Sequence, residues 1–572
     1  MRAEFVLRAR ILLGFIVFVA ILLVGRLYQL QILEGDAYRE EALHQYVRSA
    51  ADLFDRGAIY FNEKSGNRIA AASVKDGYVL VVNPQKVIDP ERLYIELANE
   101  LPLDKETFLI HATKKDDPYE EVAHQVERDI ADRIRAKKLP GVQLFREQWR
   151  YYPGGGLASH LLGFVGYADN GHERKGLYGL ERYWESVLTR ESGQLYVNFF
   201  AELFTNAHDM VVNNEKVREG DLVTSIEPSV QHALEDALVR THDEWHGKQL
   251  AGIIIDPKTG DVIALAAMPS YNPNAYADEK DLRAFQNPLV EDVYEMGSII
   301  KPLAMAVGLD TGAVTPETTY NDTGRIKIDG YTISNYDGRA RGVVSMQEVL
   351  NQSLNVGMAY VAKQVGGKVL GDRMRVLGFG EETGIDLPGE AHGLVDNLKS
   401  PREVEYATAA FGQGIALTPI ATARALCALG NGGYLITPHI VQAIAYKRGG
   451  EGNVSIDEKD QVFSQKTSEE ITRMLVTVVD KALRGGAVKK EHYAIAAKTG
   501  TAQIAKKGER GYYDDRYLHS FFGYFPAYDP KFLIFLFHTE PQGAEYASET
   551  LTTPFMDLVD FLINYYEIPP DR

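Results

Sequence analysis

Residues 298–301 read SIIK, which places a serine three positions before a lysine, about one helical turn apart. Two later stretches extend this pattern: SLN at residues 353–355 and KTGT at residues 498–501. SIIK supplies a nucleophile and a base, and SLN supplies a hydroxyl and a carboxamide. KTGT supplies a cation and two hydroxyls. In this order the three stretches predict a serine acyl-transfer site that uses lysine in place of histidine.

Each motif alone is weak, because the chain also contains false copies. Lys-(Ser/Thr)-Gly occurs at residues 64–66 and 258–260, and Ser-x-Asn occurs at residues 65–67 and 270–272. Residues 258–260 separate two apolar, β-branched runs, so they are predicted to form a hairpin turn. Ser-x-x-Lys is found only at Ser298, and only one combination gives all three motifs in order with suitable flanks.

The predicted base is Lys301, and Ser298 is the predicted nucleophile. An ordinary lysine has a pKa of about 10.4 and cannot accept a proton at neutral pH. A lysine that is desolvated and close to a second cation is pushed toward neutrality, and Lys498 is a candidate for that cation. The apolar neighbours Ile299 and Ile300 indicate that the helix carrying Lys301 is buried.

The second motif has two interpretations. In the functional one, Ser353 relays a proton between Lys301 and a leaving amine, while Asn355 holds a substrate amide, since a carboxamide both donates and accepts. In the structural one, Ser353 is a helix N-cap, which is a common position for serine. The other two motifs favour the functional interpretation.

The third motif follows an apolar run and is predicted to lie on a strand. Gly500 in that strand indicates close approach by another segment of backbone. A peptide-like substrate would lie extended along it, with its terminal carboxylate bound by Thr499 and Thr501 and assisted by Lys498. The backbone N–H groups of Ser298 and Thr501 are candidates for the oxyanion hole.

The composition is that of an ordinary globular protein and excludes one class of partner. The 572 residues are 45% hydrophobic and 24% charged, with a formal net charge of −18. No basic surplus is available to neutralise phosphates, so nucleic-acid binding is not expected. Cys427 is the single cysteine, so no internal disulfide can form, and its apolar surroundings predict a buried, unreactive thiol.

The N-terminus predicts a membrane anchor. Residues 11–25 are uncharged and apolar, and three of the residues before them are arginines. With the amphipathic continuation that follows, residues 11–33 form a predicted transmembrane anchor and helical extension, and residues 1–10 a cytoplasmic tail. The alternative is a cleaved secretory signal, but no small-x-small cleavage pattern follows the apolar run.

The rest of the chain is predicted to divide into residues 36–225, without evident catalytic motifs, and residues 226–572, which carry all three. In the second part we predict a helix from 228 to about 244, a hairpin at 251–267 and mostly helices between 290 and 430. Strands are predicted near 494–504, 519–525 and 532–537. This order predicts an α+β domain in which helices flank an antiparallel sheet.

At this point the chain resembles the penicillin-binding proteins, and specifically a class B, monofunctional peptidoglycan D,D-transpeptidase. Beyond the three motifs, the similarity includes residues 26–31, 150–153, 158–160, 179–181, 269–274 and 519–526. Two features depart from the family pattern. Met296 stands where many relatives have proline, and residues 55–61 lack the usual proline and aspartate around Arg56.

The resemblance implies the fold, the chemistry and the cellular setting. The fold would be the transpeptidase fold shared with serine β-lactamases, with an elongated, dimerisation-type pedestal at 36–225. Ser298 would attack the D-Ala-D-Ala bond of a stem peptide, release the last D-Ala and pass the acyl group to a neighbouring amine. β-Lactams would acylate the same serine, and no metal or organic cofactor is expected.

The expected partners are peptidoglycan stem peptides on lipid-linked or nascent glycan strands, a membrane glycosyltransferase and divisome proteins. The expected location is the bacterial inner membrane, by a single span, with the catalytic domain on the outer, periplasmic side.

Four alternatives remain. The stretches SLNVG and KTGTA favour a septal, division-type enzyme over an elongation-type enzyme of the lateral wall. A catalytically silent division scaffold would not need all the motif residues. A β-lactamase would be a shorter, soluble chain, and a β-lactam sensor would carry several spans and a cytoplasmic signalling domain.

Overall fold

The computed structural model describes residues 54–168, 174–190, 219–447, 449–456, 460–506, 508–509 and 511–572. The described chain forms two compact units. The smaller is built mainly from Asp76–Trp149, and the larger from Arg56–Lys75, Arg150–Thr189 and Val217–Arg572. The boundary predicted near residue 225 stays a prediction.

The strands are named in chain order. They are β1 Ile59–Asn62, β2 Arg68–Val82, β3 Glu120–Val126, β4 Val142–Tyr151, β5 Val165–Tyr167, β6 Arg174–Gly176, β7 Gly220–Thr224, β8 Gln249–Ile255, β9 Val262–Met268, β10 Thr319–Asp322, β11 Arg325–Ile328, β12 Tyr331–Ser334, β13 Gly342–Ser345, β14 Tyr434–Leu435, β15 Val441–Tyr446, β16 Glu451–Asn453, β17 Asp460–Gln461, β18 Ala496–Ala505, β19 Tyr512–Phe525 and β20 Phe532–Thr539.

The α-helices are named in the same way. They are α1 Pro90–Ala98, α2 Lys105–Thr113, α3 Arg128–Ala136, α4 Ser159–Leu162, α5 Gly179–Tyr183, α6 Glu185–Leu188, α7 Pro228–Trp245, α8 Lys301–Asp310, α9 Met346–Asn351, α10 Asn355–Val365, α11 Gly367–Val376, α12 Glu403–Ala409, α13 Pro419–Gly430, α14 Gln465–Thr477, α15 Ala547–Thr550 and α16 Thr552–Tyr566.

The smaller unit is an α+β body with its own core. The part of β2 after residue 76 pairs antiparallel with β3, and α1, α2 and α3 pack beside them. Asp89 and Asp104 begin α1 and α2, because their side chains accept hydrogen bonds from the backbone N–H groups of Arg92 and Thr107. The core of this unit consists of residues such as Leu80, Leu97, Phe108, Ala131 and Ile134.

The larger unit is organised by an antiparallel five-stranded sheet in the order β18-β19-β20-β8-β9. One face packs against α7 and α16, and the other packs against a larger helical layer that includes α8, α10, α13 and α14. β20 is buried along its whole length. A strand covered on both faces reads as a continuous apolar run, as FLIFLF at 532–537 does.

Local sequence accounts for the best predicted elements. α7 begins at Pro228, where the Glu227 side chain accepts from the Val230 N–H, and it ends at His246 in the left-handed conformation. The hairpin predicted at 251–267 is confirmed as β8 and β9, and the false motif at 258–260 is its turn. The predicted α+β class and the strands near 494–504, 519–525 and 532–537 are confirmed.

One region differs from its prediction. The segment expected to be mostly helical between 290 and 430 also contains the four short strands β10 to β13. β10 pairs with β13 and β11 with β12, both antiparallel. β10 and β13 are short, partly exposed and distant in the chain, so their sequences carry little local signal. β11 and β12 do carry a signal that the prediction overlooked, because the alternating residues 325–328 are followed by Asp329-Gly330, both with positive φ, at the hairpin turn.

A buried ion-pair cluster lies in the larger unit. Glu181 is fully buried, and its carboxylate accepts from Arg56 Nε at 2.6 Å and from Arg150 Nε at 2.5 Å. The outer edge of the cluster is Glu185, whose carboxylate lies 2.7 Å from Arg56 Nη2. Arg150 and Glu181 belong to stretches that resemble the family, whereas Arg56 lies in the stretch that departs from it, and the sequence predicted no role for any of the three.

The predicted anchor at 11–33 and tail at 1–10 lie outside the described residues. Among the residues that are described, no helix combines the length and apolarity needed to cross a bilayer.

Candidate active site

Ser298 lies in a single 3-10 turn, Gly297–Ile300, that runs directly into α8. Gly297 has a φ of +64°, a value that favours glycine, and its N–H donates to the Gly412 carbonyl oxygen at 3.1 Å. A Cβ at Gly297 would lie 3.0 Å from the Ala502 Cβ. The turn that carries Ser298 is therefore held directly against β18.

Lys301 is the first residue of α8 and is fully buried. Its Nζ donates to the Ser353 carbonyl oxygen at 2.5 Å and to the Ser353 hydroxyl at 3.1 Å. Burial lowers the pKa of Lys301 well below the usual lysine value, and the positive charge of Lys498 lowers it further. A lysine whose pKa is lowered in this way gives up its proton more readily, and its neutral form can accept one from a neighbouring hydroxyl.

Lys498 reaches the same hydroxyl from the sheet. Its Nζ lies 3.2 Å from Ser353 Oγ and 3.0 Å from the Thr499 carbonyl oxygen, and the residue is 4% exposed. Burial lowers the pKa of Lys498 to about 8. The Ser353 hydroxyl thus lies between two buried amines, one from α8 and one from β18.

Ser353 is not a helix N-cap. It has a φ of +54°, in the left-handed region that non-glycine residues rarely adopt, and α10 begins two residues later. Its N–H donates to the Leu350 carbonyl oxygen at 3.3 Å, which closes the turn after α9. The strained conformation directs the hydroxyl toward the two lysines, as expected where local strain is retained for function.

Asn355 is the first residue of α10, and the last residue of β12 sets its orientation. Its Nδ2 donates to the Ser334 carbonyl oxygen at 2.9 Å. The neighbouring Val356 N–H donates to Asn335 Oδ1 at 3.1 Å. The amide oxygen of Asn355 remains available to accept from a substrate N–H.

Thr499 and Thr501 share one face of β18 by the two-residue repeat of a strand, while Lys498 and Gly500 lie on the other. Both threonines are partly exposed, and both members of the other pair are buried. Thr501 Oγ1 accepts from the Ala547 N–H at 3.0 Å. A hydroxyl that accepts one hydrogen bond keeps its own proton to donate, here to a carboxylate.

Gly500 marks the close approach that its position in a strand predicted. A Cβ there would lie 2.4 Å from Ser520 Oγ, 2.8 Å from the Met296 carbonyl oxygen and 3.0 Å from the Ile299 nitrogen. The last two atoms belong to the backbone around Ser298, so a side chain at 500 would displace the nucleophile's turn.

Three supporting residues had no role in the sequence analysis. The fully buried Ser520 donates to the Met296 carbonyl oxygen at 2.9 Å, which ties β19 to the turn of Ser298. Asn335 holds the start of α10. Glu295, three residues before Ser298, accepts from the Tyr512 hydroxyl at 3.0 Å, and burial raises the pKa of its carboxyl. Of these, Ser520 lay in a stretch that resembles the family, and the others belong to no motif.

The eight predicted site residues thus lie on four adjoining segments: the Ser298 turn with α8, the turn before α10, α10 itself and β18. The cluster contains the Ser298 hydroxyl, the buried amines of Lys301 and Lys498, the Ser353 hydroxyl between those amines, and two partly exposed threonine hydroxyls. This arrangement can perform acyl transfer through a serine ester. Across the described residues, no group of three or more His, Cys, Asp or Glu side chains could hold a metal ion.

The chain matches two family models. The penicillin binding protein transpeptidase domain matches residues 250–559, and the penicillin-binding protein dimerisation domain matches residues 54–220. All eight predicted site residues lie within the first match.

Curated relatives cover nearly the whole chain. Stage V sporulation protein D of Bacillus subtilis is 29% identical over 558 residues, which is 96% of this chain and 83% of the relative. Peptidoglycan D,D-transpeptidase FtsI of Escherichia coli is 28% identical over 576 residues, which is 99% of this chain and 92% of the relative.

Solved structures share the fold. Penicillin binding protein 3 from Mycobacterium tuberculosis, complexed with aztreonam, aligns with a TM-score of 0.68 and 22% identity over 91% of this chain and 98% of that one. Penicillin binding protein 2X from Streptococcus thermophilus gives a TM-score of 0.70 at 20% identity over 90% of this chain and 80% of that one.

Proposed function

This chain belongs to the penicillin-binding protein transpeptidase family, and from that premise we propose that it is a peptidoglycan D,D-transpeptidase acting through a Ser298 acyl-enzyme. The single observation that carries the proposal is the Ser353 hydroxyl, which lies 3.1 Å from Lys301 Nζ and 3.2 Å from Lys498 Nζ beside the Ser298 turn. Neither a scaffold nor a packing role needs two buried amines around one strained serine.

The first half-reaction forms a serine ester. Neutral Lys301 accepts the hydroxyl proton of Ser298 as Oγ bonds to the carbonyl carbon of the penultimate D-Ala of a stem peptide. The bond from that carbon to the terminal D-Ala nitrogen then breaks. Ser353 passes the proton to the leaving nitrogen, so D-Ala departs as a neutral amine and the acyl group stays on Ser298.

The second half-reaction transfers the acyl group. An amine of a neighbouring stem peptide attacks the ester carbon, and the ester C–O bond breaks. The amine gives up a proton, which returns to Ser298 Oγ through Ser353 and Lys301. The product is a new amide, which cross-links two strands, and the free enzyme.

The remaining site residues bind and orient the substrate. Lys498, Thr499 and Thr501 bind the terminal carboxylate, since a cation and hydroxyl donors are the expected partners of an anion. The open face of Asn355 holds the peptide amide of the donor. The backbone N–H groups of Ser298 and Thr501 stabilise the oxyanion of the tetrahedral intermediate. Gly500 provides the close packing of β18 against the nucleophile's turn.

The cellular setting follows from the same family. The enzyme acts in septal wall synthesis, which is supported by the SLNVG and KTGTA stretches and by the similarity to proteins named FtsI. A single span at 11–33 anchors it in the inner membrane with the catalytic unit outside, and a membrane glycosyltransferase and divisome proteins are its partners. Depletion should give filamentous cells, and rounded cells would instead support the lateral-wall alternative.

The decisive experiment is the intact mass of the protein after incubation with benzylpenicillin. Wild type should gain the mass of one penicillin, and Ser298→Ala should gain none. Ser270→Ala is the matched control, because Ser270 is an exposed serine in a false Ser-x-Asn copy and should leave acylation unchanged. An unmodified wild type would contradict the proposal, and persistent modification of Ser298→Ala would place the ester elsewhere.

A further inference from the structure

The turn that carries Ser353 is a helix end of a kind that usually contains glycine. The Ser353 N–H donates to the Leu350 carbonyl oxygen at 3.3 Å, and the Leu354 N–H donates to the Val349 carbonyl oxygen at 2.9 Å. These two bonds form a Schellman motif after α9, in which the residue at the position of Ser353 is left-handed and most often glycine. Serine adopts this conformation, with a φ of +54°, at an energetic cost. Such a residue persists only where its surroundings stabilise it.

The residue before Ser353 is held by its side chain from two sides. Gln352 Oε1 accepts from Arg341 Nε at 3.1 Å, and Gln352 Nε2 donates to Glu348 Oε2 at 2.9 Å. A guanidinium only donates and a carboxylate only accepts, so the two contacts determine which end of the amide faces each partner. The backbone of Gln352, with φ −97° and ψ 3°, lies in the sparsely populated bridge region. Its side chain therefore anchors the backbone that leads into Ser353.

Arg341 is fixed at its backbone and at its side chain. Its N–H donates to the carboxylate of Asp322, which is fully buried, at 2.9 Å. Nη1 and Nη2 donate to the two carboxylate oxygens of Asp337 at 2.8 Å each, and Nη1 also donates to the Arg339 carbonyl oxygen at 2.7 Å. With Nε donating to Gln352, every nitrogen of the guanidinium has an acceptor. The side chain is 15% exposed, so water competes little for these contacts.

The ion pair with Asp337 orients the guanidinium more than it stabilises the fold. An ion pair near the surface contributes only modestly to stability. Its two parallel hydrogen bonds, however, fix the plane of the guanidinium, and Nε in the same plane then faces Gln352. A lysine would pair with Asp337 but presents a single nitrogen, so it cannot hold both partners in this geometry. The arrangement is therefore specific for arginine.

We propose that Arg341 is a positioning residue for the proton relay through Ser353. It holds Gln352 in place, and Gln352 holds the turn in its left-handed form. In that form the Ser353 hydroxyl stays between two buried amines, 3.1 Å from Lys301 Nζ and 3.2 Å from Lys498 Nζ. Arg341 acts on the reaction through Gln352, so it is not a catalytic residue. This inference rests on the proposed transpeptidase function and adds a residue from outside the three motifs.

The test separates the rate constant of acylation from the affinity for benzylpenicillin. Arg341→Ala should lower the rate constant and leave the dissociation constant of the preceding complex unchanged, because the proposed carboxylate- and amide-binding groups lie elsewhere. The cost of a left-handed residue corresponds to about a 5- to 150-fold change in its population, and the loss of rate should lie in that range. Arg341→Lys should show a similar loss, since it keeps the charge but not the fork. Stopped-flow acylation over a range of penicillin concentrations gives both constants.

A double-mutant cycle tests whether Arg341 acts through the Ser353 hydroxyl. In a Ser353→Ala background there is no hydroxyl to position, so Arg341→Ala should cause no further loss of rate. A residue that only stabilises the fold would lower the rate by the same factor in both backgrounds. Gln352→Ala removes the connecting amide and should reproduce the effect of Arg341→Ala. It tests the same connection from the other end if one of the two variants does not fold.

Arg339→Ala is the matched control. It removes an exposed arginine from the same loop, while the backbone carbonyl oxygen that Arg341 contacts remains. Its acylation rate should equal that of wild type, and thermal unfolding verifies that each variant is folded.

Three results would overturn the inference. Wild-type rates in both Arg341→Ala and Gln352→Ala would mean that the turn needs no external support. Full activity in Arg341→Lys would mean that only the charge matters. An equal loss with and without the Ser353 hydroxyl would mean that Arg341 acts on another part of the site. Failure of the proposed function looks different, because wild type itself would then not be acylated.

Discussion

Lys498 Nζ lies 3.2 Å from the hydroxyl oxygen of Ser353, although the two residues come from the sheet and from the helical layer of the same unit. The same oxygen is 3.1 Å from Lys301 Nζ. One serine hydroxyl therefore connects the buried amine of α8, which is the proposed base, with the buried amine of β18, which is the proposed ligand of the substrate carboxylate. The three sequence motifs converge on a single hydrogen-bonded group.

The charge of Lys498 makes acylation pH-dependent on the alkaline side. Its pKa is lowered to about 8 by burial, so it loses its proton as the pH rises through that value. Because the proposed role of this cation is to bind the substrate carboxylate, kcat/KM for a penicillin or thioester substrate should fall above about pH 8, mainly through a higher KM. The pKa of Lys301 is also lowered, by burial and by the charge of Lys498.

Lys498→Arg is the matched control for this profile. A guanidinium stays charged throughout, so the alkaline decline should move to higher pH even if the maximal rate is reduced by altered geometry. Acylation rates measured with a fluorescent penicillin between about pH 6 and 10 give both profiles. If the rate of the arginine variant declined at the same pH as that of wild type, the decline would come from the titration of another group.

Gly500→Ala should abolish most of the acylation while leaving the chain folded. The added Cβ would lie 2.8 Å from the Met296 carbonyl oxygen and 3.0 Å from the Ile299 nitrogen, so the turn that carries Ser298 must move. We expect a loss of about 100-fold in acylation rate, as for a displacement of about 1 Å at a reacting group. Overpacking should lower the free energy of unfolding by about 1–3 kcal/mol.

Adding Ser520→Ala to Gly500→Ala should not restore the rate. The second substitution removes the contact of 2.4 Å with Ser520 Oγ, but the two backbone contacts remain. It also removes the hydrogen bond to Met296. Recovery in the double variant would mean that the side chain, and not the backbone, limits the approach of the turn.

The residues of the site were predictable because their spacing is local and their chemistry is unusual. Ser298 and Lys301 are one turn apart, and an apolar strand precedes Lys498. The positive φ of Ser353 was not predictable, because no glycine or asparagine marks it. Its conformation depends on the lysines and on the turn between α9 and α10.

The contacts between distant segments lay beyond the sequence. Nothing near Arg341 indicates that it meets Gln352, since the contact depends on how the loop after β12 packs beside the end of α9. β10 and β13 were missed because they are short, partly exposed and far apart in the chain. The β11–β12 hairpin was within reach of the sequence, since Asp329-Gly330 lies between residues 325–328 and 331–334 and marks its turn. The role of Asn335 was missed because its side chain accepts a hydrogen bond from the start of α10, which is distant in the sequence.

Asn335→Ala should weaken both stability and substrate positioning. Asn335 is 3% exposed, donates to the fully buried Asp322 carboxylate at 3.0 Å and accepts from the Val356 N–H. The Asp322 carboxylate keeps the hydrogen bonds from the Tyr320 hydroxyl and the Arg341 N–H, but the buried Val356 N–H loses its partner, which costs about 1–3 kcal/mol. Because Asn355 begins α10, the variant should also raise KM in a transpeptidation assay. Urea unfolding measures the first effect and steady-state kinetics the second.

Asn321→Ala is the matched control, because Asn321 is an exposed asparagine on β10, directly before the Asp322 that Asn335 contacts. It should change the free energy of unfolding by no more than about 0.5 kcal/mol and should leave the KM unchanged. Equal effects of both substitutions would mean that the hairpin tolerates no change, and that Asn335 has no particular role in holding α10.

Glu181→Gln should be the most destabilising of these substitutions while leaving the chemistry of Ser298 intact. Glu181 is fully buried between Arg56 and Arg150, and a neutral amide would leave two buried guanidinium groups with too little negative charge. Breaking a buried ion pair in this way costs about 3–5 kcal/mol. Glu185→Gln removes a partly exposed carboxylate of the same cluster and should cost clearly less.

Thermal unfolding compares the two variants, and penicillin acylation of the folded fraction should proceed at the wild-type rate in both. A Glu181→Gln protein as stable as wild type would mean that the arginines are paired elsewhere, and a slowed acylation would mean that this cluster influences the active site.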